Sequence, residues 1–321
     1  MKELNYSQWH RTLGFSYFGM DLDFVEVREN QPVAIIESSE TTTKHPTAMG
    51  DDGVFARFLT ETGGFQFEVA WWTAKWLDIP AFVTCFGEFA DKITVLSLQN
   101  GLVKTIPLDE YFSFLTCMET SIHRDLISAT VDQFDLVTLI NELKNQFPPF
   151  EKVYPYFKDK EQWSSSYSLR LEELKNKSAR IRPKRQSNKT FPVKGETTYS
   201  RHSKYDDVRK NIDLDYFNLN WVEWRKDNYW EKIGRPAAFI KTIMINDEDE
   251  FINTAKLKHR EFWHSKEHSW WAECSSRANV PFYTSIHCDR MEKFYVVKKY
   301  NEEYRAKLFH RNSYEKFIRS L

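Results

Sequence analysis

The sequence predicts a mixed α/β fold that is built twice in tandem. One order of elements recurs along the chain: an apolar strand that begins with proline, a Trp-rich helix, two further strands and a closing amphipathic helix. The landmarks are similarly spaced, since 79 positions separate Pro32 from Tyr111 and 78 separate Pro236 from Tyr314. An aromatic share of 16% is enough to fill two cores. A tandem duplication explains this agreement better than chance, and the periodicity of the fold alone is the open alternative.

The first half begins with two strands that meet in a short turn, in the stretch "MDLDFVEVRENQPVAIIESSE" at 20–40. A Trp-rich helical segment follows, and then come the strands "IPAFVTCF" from Ile79 and "KITVLSL" from Lys92. The closing helix carries an apolar stripe at helical spacing, formed by Tyr111, Phe114 and Leu115. These elements define a first predicted domain over residues 1–120.

The second half repeats this order between residues 206 and 321. Its strands read "PAAFIKTIM" from Pro236, "VPFYTSIHC" from Val280 and "KFYVVKKY" from Lys293, and the segment "HSWWAECSSRA" lies before the second of them. The closing stripe is formed by Tyr314, Phe317 and Ile318. We therefore predict a second α/β domain with the architecture of the first.

The middle of the chain, residues 121–205, is predicted to be a helical segment followed by a basic linker. The stretch "VDQFDLVTLINELKNQF" has apolar residues at helical spacing, and "PPF" ends it. From Ser178 to Lys210 the chain has ten Lys or Arg residues against three acidic ones. This is the obvious place for contacts with phosphate, through Arg180, Arg182, Lys184 and Arg185. A solvated linker with a charge run is the open alternative.

The overall composition excludes several classes of protein. With 45 basic and 46 acidic residues the net charge is −1, so no global field attracts nucleic acid or membrane. The four cysteines lie far apart without a Cys-x-x-Cys pair, which argues against a zinc ribbon and a disulfide framework. The chain has no run of 18 apolar residues and no secretory leader pattern. We therefore expect a cytoplasmic, intracellular protein without a membrane partner.

Carboxylates mark the inner ends of the first two strands. Asp21 and Asp23 share one strand face, and so do Glu37 and Ser39. If residues 29–31 form a three-residue turn, Asp23 lies opposite Glu37 and Asp21 lies opposite Ser39. Gathered carboxylates repel one another unless a cation lies among them. The sequence therefore predicts a site for Mg²⁺ or Mn²⁺ with Asp21, Asp23 and Glu37 as ligands.

The stretch at 20–40 resembles the core of the PD-(D/E)XK nuclease superfamily. That pattern is a strand ending in Asp, a turn and a strand ending in Glu-x-Lys, followed by a helix and further strands. The resemblance covers roughly residues 5–100 and includes "WHR" at 9–11. It implies two restriction-endonuclease-like α/β domains in tandem, each a mixed central sheet flanked by helices. It also implies metal-dependent hydrolysis of phosphodiester bonds, with DNA as the partner.

The resemblance assigns roles to single residues of the first half. Asp21 or Asp23 and Glu37 correspond to the metal ligands, whereas Ser39 stands where the family has lysine. Losing a group that stabilises developing charge costs on the order of 10²- to 10³-fold in rate. A lysine from elsewhere restores that charge if it reaches the site, and the candidates are Lys44 and Lys75. His10 and Arg11, just before the first strand, are candidates for phosphate contact.

The second half has lost more of the motif, and two alignments are open. "IDLDYF" on "MDLDFV" matches Asp213 and Asp215 to the aspartates, whereas "LNWVEWR" on "LDFVEVR" matches Asn220 to Asp23. In either case Lys241 replaces Glu37 and Ile243 replaces Ser39. A lysine repels the cation that a ligand should hold, so we predict that the second half is catalytically inert.

Two hypotheses follow for the whole chain. In the first, it is a nuclease-like protein that binds nucleic acid and cleaves DNA through its first half. In the second, it is a catalytically inactive pseudo-nuclease that serves as a structural module or as a binding module for nucleic acid or a protein partner. The clustered tryptophans are predicted to be core residues, with stacking on unpaired bases as the alternative. His264 and His268, four residues apart, are predicted to lie on a solvated helix face.

Overall fold

A computed structural model describes residues 6–10, 13, 17–40, 63–86, 92–99, 103–116, 212–225, 236–246, 249–288, 292–300 and 303–321. They form the elements α1 (Tyr6–His10), β1 (Tyr17–Arg28), β2 (Gln31–Glu40), α2 (Gly63–Leu77), β3 (Ala81–Phe86), β4 (Lys92–Ser97), β5 (Val103–Pro107), α3 (Leu108–Thr116), β6 (Tyr216–Arg225), β7 (Pro236–Ile245), α4 (Phe251–Trp263), α5 (Lys266–Ala278), β8 (Phe282–Cys288), β9 (Lys293–Tyr300), β10 (Glu303–His310) and α6 (Arg311–Ser320). The fold is therefore mixed α/β, as predicted.

The described residues belong to two compact units. The C-terminal unit takes its described residues from 1–32, 76–78 and 216–321, and the central unit takes its own from 33–75 and 79–215. The sequence predicted boundaries near 120 and 206 instead. The difference arises because β1 pairs with β6, so the start of the chain packs with its end.

The central unit contains the strands β2, β3, β4 and β5, adjacent in that order. β2 and β3 are parallel, while β3–β4 and β4–β5 are antiparallel. The helices α2 and α3 supply buried apolar side chains to this unit, namely Val69, Ala70, Trp71, Ala74, Tyr111, Phe114 and Leu115. The stripe predicted for the closing helix is therefore confirmed, because Tyr111, Phe114 and Leu115 are all buried.

The C-terminal unit contains six strands in the order β10-β9-β8-β7-β6-β1. Only β7 and β8 among them are parallel, and the helices α4 and α5 connect these two strands. One cluster of the core joins α1, β6, β9 and α6 through aromatic and aliphatic side chains, namely Tyr6, Trp9, Trp221, Phe294, Tyr314 and Ile318. A five-residue helix is marginal on its own, so this packing accounts for α1.

The two halves share their strand pairing as well as their order of elements. In the central unit the Ile35 amide donates to the Pro80 carbonyl at 2.9 Å. In the C-terminal unit the Phe239 amide donates to the Pro281 carbonyl, also at 2.9 Å. In each half the parallel strand is followed by two antiparallel strands and a closing helix. We refer to the elements β1–α3 as the N-terminal copy and to β6–α6 as the C-terminal copy.

The pairing of β1 with β6 selects one of the two alignments that the sequence left open. Leu22 lies opposite Leu219, while Gly19 pairs with Glu223 and Glu26 pairs with Tyr216. An offset of 197 positions relates the two strands, and five of their seven pairs, all except Tyr17–Arg225 and Phe18–Trp224, map onto one another under it. The antiparallel pair therefore has a local twofold axis at Leu22 and Leu219.

The same offset fixes the counterparts of the two aspartates. Asn220 matches Asp23, and Asn218 matches Asp21. The rival alignment is excluded because Asp213 and Asp215 precede β6 and do not lie on it. Among the helices that the structure describes, none combines the length and the apolar character needed to cross a membrane.

Candidate functional site

The turn between β1 and β2 has two residues, Glu29 and Asn30, with φ angles of 50° and 64°. Positive φ at both positions is typical of a type I′ turn. The three-residue turn expected from the sequence is therefore wrong. Successive side chains on a strand point to opposite faces. Shortening the turn by one residue therefore changes which residue of β2 lies opposite each residue of β1. The predicted opposition of Asp23 and Glu37 loses its basis.

Helix α5 holds this turn within the C-terminal unit. The Trp270 indole Nε1 donates to the Asn30 side-chain oxygen at 3.3 Å. The Arg277 guanidinium donates to the Pro32 carbonyl at 3.2 Å and also bonds the Gln31 side-chain oxygen. The turn residues of the N-terminal copy are thus fixed by a helix of the C-terminal copy.

The two aspartates share one face of β1, as predicted. Asp21 is exposed and Asp23 is half-buried, whereas Leu22 and Phe24 on the opposite face are buried. The Asn218 side-chain amide donates to the backbone carbonyl of Asp23. The counterpart of Asp21 therefore helps to pair β6 with β1, which is a structural role.

Glu37 lies in the central unit on β2, where its residue is only 2% exposed and pairs with Val83 of β3. Ser39 also lies on β2, next to Cys85 in the ladder. Its side chain lies outside the described residues, and so do all atoms of the predicted residues Arg11, Lys44, Arg180, Arg182, Lys184 and Arg185. Lys75, the other candidate for the missing lysine, places its Nζ 5.1 Å from the centre of the Trp71 ring.

In the part of the chain that the structure describes, no three His, Cys, Asp or Glu side chains are grouped so as to hold a metal ion. Divalent metals of the Mg²⁺ class need several oxygen ligands at one point. Asp21, Asp23 and Glu37 therefore do not form a ready-made site in this structure. The Mg²⁺ or Mn²⁺ site remains a prediction from the sequence.

The structure does assemble a buried polar network around Glu223 of β6. This carboxylate has no exposed surface and accepts from His10 Nε2 at 2.9 Å, from Trp221 Nε1 at 2.9 Å and from Arg225 Nη1 at 2.5 Å. Burial of a charge is tolerated when donors of this kind surround it. His10 is 1% exposed, so this ring points into the core and its Nε2 already has a partner.

Two tyrosines and a second histidine lie in the same buried region. The Tyr6 and Tyr314 hydroxyl groups are 2.8 Å apart, and burial raises the pKa of both. The His287 ring lies 5.6 Å from the Tyr6 ring, and burial lowers the pKa of His287 to about 4. These groups are neutral at physiological pH and enclosed, which fits a role in anchoring α1 to the core.

The N-terminal copy has a matching pair on β1. Arg28 Nη1 and Nη2 lie 3.3 and 3.4 Å from Glu26 Oε2, and Glu26 is fully buried. Arg28 also donates to the Val27 carbonyl, as Arg225 does to the Trp224 carbonyl. Sequence reasoning missed both pairs. The signal was present, because Val-Glu-x-Arg occurs once in each half, at 25–28 and 222–225.

Lys241, the counterpart of Glu37, has a defined partner in the C-terminal unit. Its Nζ lies 2.5 Å from Glu267 Oε1, and the same oxygen accepts from Trp271 Nε1 at 3.1 Å. The lysine also lies 5.6 Å from the Phe262 ring and 5.9 Å from the Trp271 ring. The position that corresponds to the predicted metal ligand Glu37 is thus occupied by a cation that an anion and two aromatic rings stabilise.

A cavity of about 320 Å³ lies in the C-terminal unit, at the ends of β6, β7 and α5. Its lining includes Trp76, Arg225, Pro236, Asn279, Pro281 and Leu321. The charged group in this lining, Arg225, is bonded to Glu223 and to the Ile318 carbonyl. The cavity therefore offers mainly apolar side chains and backbone to a ligand.

Searches of protein-family models, curated proteins and solved structures find no match for this chain.

Proposed function

We propose that this chain is a nuclease-like protein that binds nucleic acid, built from two copies of a restriction-endonuclease-like α/β unit. The observation that supports the proposal is the shared architecture of the copies. Each has a parallel strand pair with helix between its two strands, α2 in the N-terminal copy and α4 with α5 in the C-terminal copy, then two antiparallel strands and a closing helix. The stretch at 20–40 in the first copy resembles the motif of that nuclease superfamily, with Ser39 in place of its lysine. DNA is the expected ligand.

In this proposal the C-terminal copy takes no part in hydrolysis. Its counterparts of Asp21, Asp23 and Glu37 are Asn218, Asn220 and Lys241. None of these three side chains carries a negative charge, and Lys241 forms an ion pair with Glu267. This copy has a structural role, and it anchors the turn that begins β2.

Any hydrolysis is therefore confined to the N-terminal copy, where Asp21, Asp23 and Glu37 remain. Ser39 stands in place of the family's lysine, and Lys44 is the nearest candidate in sequence to replace that charge. The burial of Glu37 and the two-residue turn favour the second candidate function, a pseudo-nuclease that binds nucleic acid or a protein without cleaving DNA. The two functions differ in one measurable property, which is turnover.

The test is a cleavage and binding assay on the full chain. Wild type, Glu37→Gln and the control Glu29→Gln are incubated with single-stranded, duplex and branched DNA in Mg²⁺ or Mn²⁺. Glu29 is an exposed carboxylate of the adjacent turn, so its variant controls for a loss of charge alone. Cleavage by wild type and by Glu29→Gln, but not by Glu37→Gln, supports the nuclease.

Binding without cleavage by any of the three proteins supports the pseudo-nuclease. Equal cleavage by all three overturns the assignment of Glu37. The absence of any DNA binding overturns the nuclease and the proposed binding of DNA. Titration calorimetry with Mn²⁺ on the same three proteins separates metal binding from turnover, since a ligand role for Glu37 predicts heat that the glutamine variant lacks.

A further inference from the structure

Positive charge is concentrated in the last two strands and the closing helix of the C-terminal unit. Residues 292–321, which include β9, β10 and α6, contain eight Lys or Arg residues against four carboxylates. The corresponding residues of the N-terminal copy, 91–118, contain two against three. The other copy builds the same elements without this charge, so the architecture does not require it.

Three of these cations are neighbours on one face of the β9–β10 pair. Lys298 lies directly opposite Arg305, and Lys307 follows Arg305 two residues later on the same face. We name Lys298, Arg305 and Lys307 the basic strip. Lys298 is half-buried, whereas Arg305 and Lys307 are exposed. Both exposed residues belong to β10, which lies at the edge of the described sheet in this unit.

Aromatic rings position two of the three side chains. Lys298 Nζ lies 5.3 Å from the centre of the Tyr283 ring, and Lys307 Nζ lies 4.9 Å from the centre of the Phe309 ring. Both rings in turn pack on Phe317 of α6, with ring centres 5.2 Å apart in each case. A cation over an aromatic face is attracted to it. The strip therefore carries charges that the core of the unit helps to hold in place.

The carboxylates nearby leave this face positive. Those of the same stretch are Glu292, Glu302, Glu303 and Glu315. Glu303 is exposed on the face of the strip, two residues before Arg305. Glu315 forms an ion pair with Arg311 within α6 at 3.7 Å, Glu292 precedes β9, and Glu302 lies outside the described residues. On this face of β9 and β10, three cations thus stand against one carboxylate, and α6 adds the exposed Lys316 and Arg319.

The pairing within the strip is unfavourable for folding. Like charges directly opposite each other on antiparallel strands are destabilising, and Lys298 and Arg305 are such a pair. The N-terminal copy has Ser97 and Leu102 at the corresponding positions of its sequence and so avoids the repulsion. Departures from a local rule of this kind are expected at functional sites. An anion bound between the cations would remove the repulsion.

Protection of the sheet edge explains only part of the strip. Charged side chains on an edge strand prevent it from pairing with another molecule. This accounts for Arg305 and Lys307, but Lys298 lies on β9, which already has a strand on each side. Lys298 therefore needs a different explanation.

The chemistry of the strip favours phosphate over a protein partner. Interfaces between proteins usually have an apolar or aromatic centre and few lysines, whereas phosphate oxygens are bound by Lys and Arg side chains. We propose that Lys298, Arg305 and Lys307 bind the phosphate backbone of nucleic acid. The inference rests on the proposed function and deepens it, because it gives a part in binding to the copy that takes no part in hydrolysis. Such contacts predict binding that depends strongly on salt and little on sequence.

The first test measures affinity for a labelled DNA duplex by fluorescence anisotropy on the full chain, over a series of salt concentrations. Lys307→Gln should reduce the slope of log affinity against log salt by about 0.9, and weaken binding roughly 8-fold at about 0.1 M salt, as expected for one lost phosphate contact. Lys104→Gln is the matched control. Lys104 pairs with Val95 in β5 as Lys307 pairs with Val296 in β10, and its variant should bind like wild type. Equal losses in both variants would show that net charge alone governs binding, which overturns the strip.

A charge reversal separates phosphate binding from edge protection. A carboxylate deters strand pairing as well as a lysine does, so Lys307→Glu should keep the oligomeric state of wild type in sedimentation velocity. Its affinity for the duplex should fall below that of Lys307→Gln. Wild-type affinity in Lys307→Glu overturns the proposal. Each variant is first checked for the circular dichroism and thermal midpoint of wild type.

Lysine acylation of the wild-type protein provides a readout that needs no variant. Saturating duplex should protect Lys298 and Lys307 from an acetylating reagent and leave Lys104 reactive, as mapped by mass spectrometry. Unchanged reactivity of Lys298 and Lys307 overturns the strip. Polyglutamate is the second probe, and equal affinity with the same protection would assign the surface to an acidic protein partner instead. If wild type binds no DNA, the proposed binding of DNA fails together with the strip; if all variants bind as wild type does, only the strip is wrong.

Discussion

Strands β1 and β6 carry the same motif and have the same local symmetry, yet their glutamates differ in their surroundings. Glu26 of β1 has the Arg28 guanidinium at 3.3 Å, whereas Glu223 of β6 has Arg225 at 2.5 Å together with His10 and Trp221. The two positions are related by the twofold axis between the strands. The Glu-Arg pair is thus the centre of a larger network in one copy only.

The cause of the difference is an exchange of side-chain size at symmetric positions. Trp221 corresponds to Phe24, and Gly19 corresponds to Tyr216. Gly19 leaves room for the Trp221 indole, which then reaches Glu223, whereas Phe24 packs on Tyr216 with ring centres 5.4 Å apart. The network around Glu223 therefore depends on the small residue at position 19, which leaves space for the Trp221 indole. The following predictions test that conclusion, beginning with the largest effect.

We expect Glu223→Ala to have the largest effect on stability. The substitution leaves the Arg225 guanidinium, the Trp221 indole and the His10 ring without their shared acceptor in the interior. Removing one member of a buried ion pair costs about 3–5 kcal/mol in the free energy of unfolding. Urea denaturation followed by tryptophan fluorescence measures the loss.

Glu261→Ala is the matched control for that measurement. Glu261 pairs with Lys258 on the exposed surface of α4, so its loss should cost at most about 1 kcal/mol. Glu26→Ala provides the internal comparison. It should lower the free energy of unfolding by less than Glu223→Ala does. Equal effects of Glu223→Ala and Glu261→Ala would contradict the structural role of the network.

The second prediction concerns pH and uses His287, whose counterpart in the N-terminal copy is Phe86. Burial lowers the pKa of His287 to about 4, below the value of about 6.5 in an unfolded chain. The unfolded state therefore binds a proton between pH 6.5 and 4 while the folded state does not. The contribution of His287 to the free energy of unfolding is fully present above pH 6.5. It should fall by roughly 3 kcal/mol as the pH decreases to 4.

The measurement compares wild type with His287→Phe across this pH range. Phenylalanine cannot take up a proton, so the variant should lack this part of the acid dependence, as Phe86 does in the other copy. The control is His264→Gln, since His264 is exposed and its replacement should leave the dependence unchanged. Parallel curves for wild type and His287→Phe would show that His287 titrates normally in the folded protein.

The third prediction tests the size exchange directly. A Cβ atom on Gly19 would lie 2.0 Å from Trp221 Nε1, so Gly19→Ala must displace the indole. Overpacking of this kind costs about 1–3 kcal/mol. Trp221→Phe recreates the side chain found at Phe24 and removes the clash. In a double-mutant cycle the combined variant should therefore be more stable than the sum of the two single effects; strict additivity would disprove the steric argument.

Much of the fold was predictable because hydrophobic periodicity and proline landmarks report on local structure. The order of strands and helices, the closing stripes at Tyr111 and Tyr314 and the mixed α/β class all follow from such patterns. The packing of β1 with β6 was not predictable in this way. It is a contact between residues about 200 positions apart, and nothing in the local pattern of β1 specifies it.

The candidate site was less predictable because it depends on the position of single atoms. Glu29 and Asn30 are not a typical type I′ sequence such as Asn-Gly, so the sequence alone did not reveal a two-residue turn. The difference of one residue in turn length decides whether Glu37 lies on the same face of the sheet as its predicted partner Asp23. His10 was a candidate for contact with a phosphate. The repeated Val-Glu-x-Arg motif marked Glu223, the buried carboxylate that accepts from the His10 ring.

The smallest predicted effect concerns Lys241, the counterpart of Glu37. It tests whether this residue contributes to packing or to ligand binding. Lys241→Met keeps an unbranched stem between the Phe262 and Trp271 rings. Glu267 remains bonded to Trp271 Nε1 and partly exposed, so its charge stays solvated. We expect a change of less than about 1 kcal/mol in unfolding free energy, because an apolar replacement of a partly buried pair is close to neutral. DNA affinity should also stay at the wild-type value. Glu37→Met is the symmetric experiment in the other copy, and it should abolish any cleavage that wild type shows. A loss of DNA affinity in folded Lys241→Met would instead show that the C-terminal copy binds DNA through Lys241.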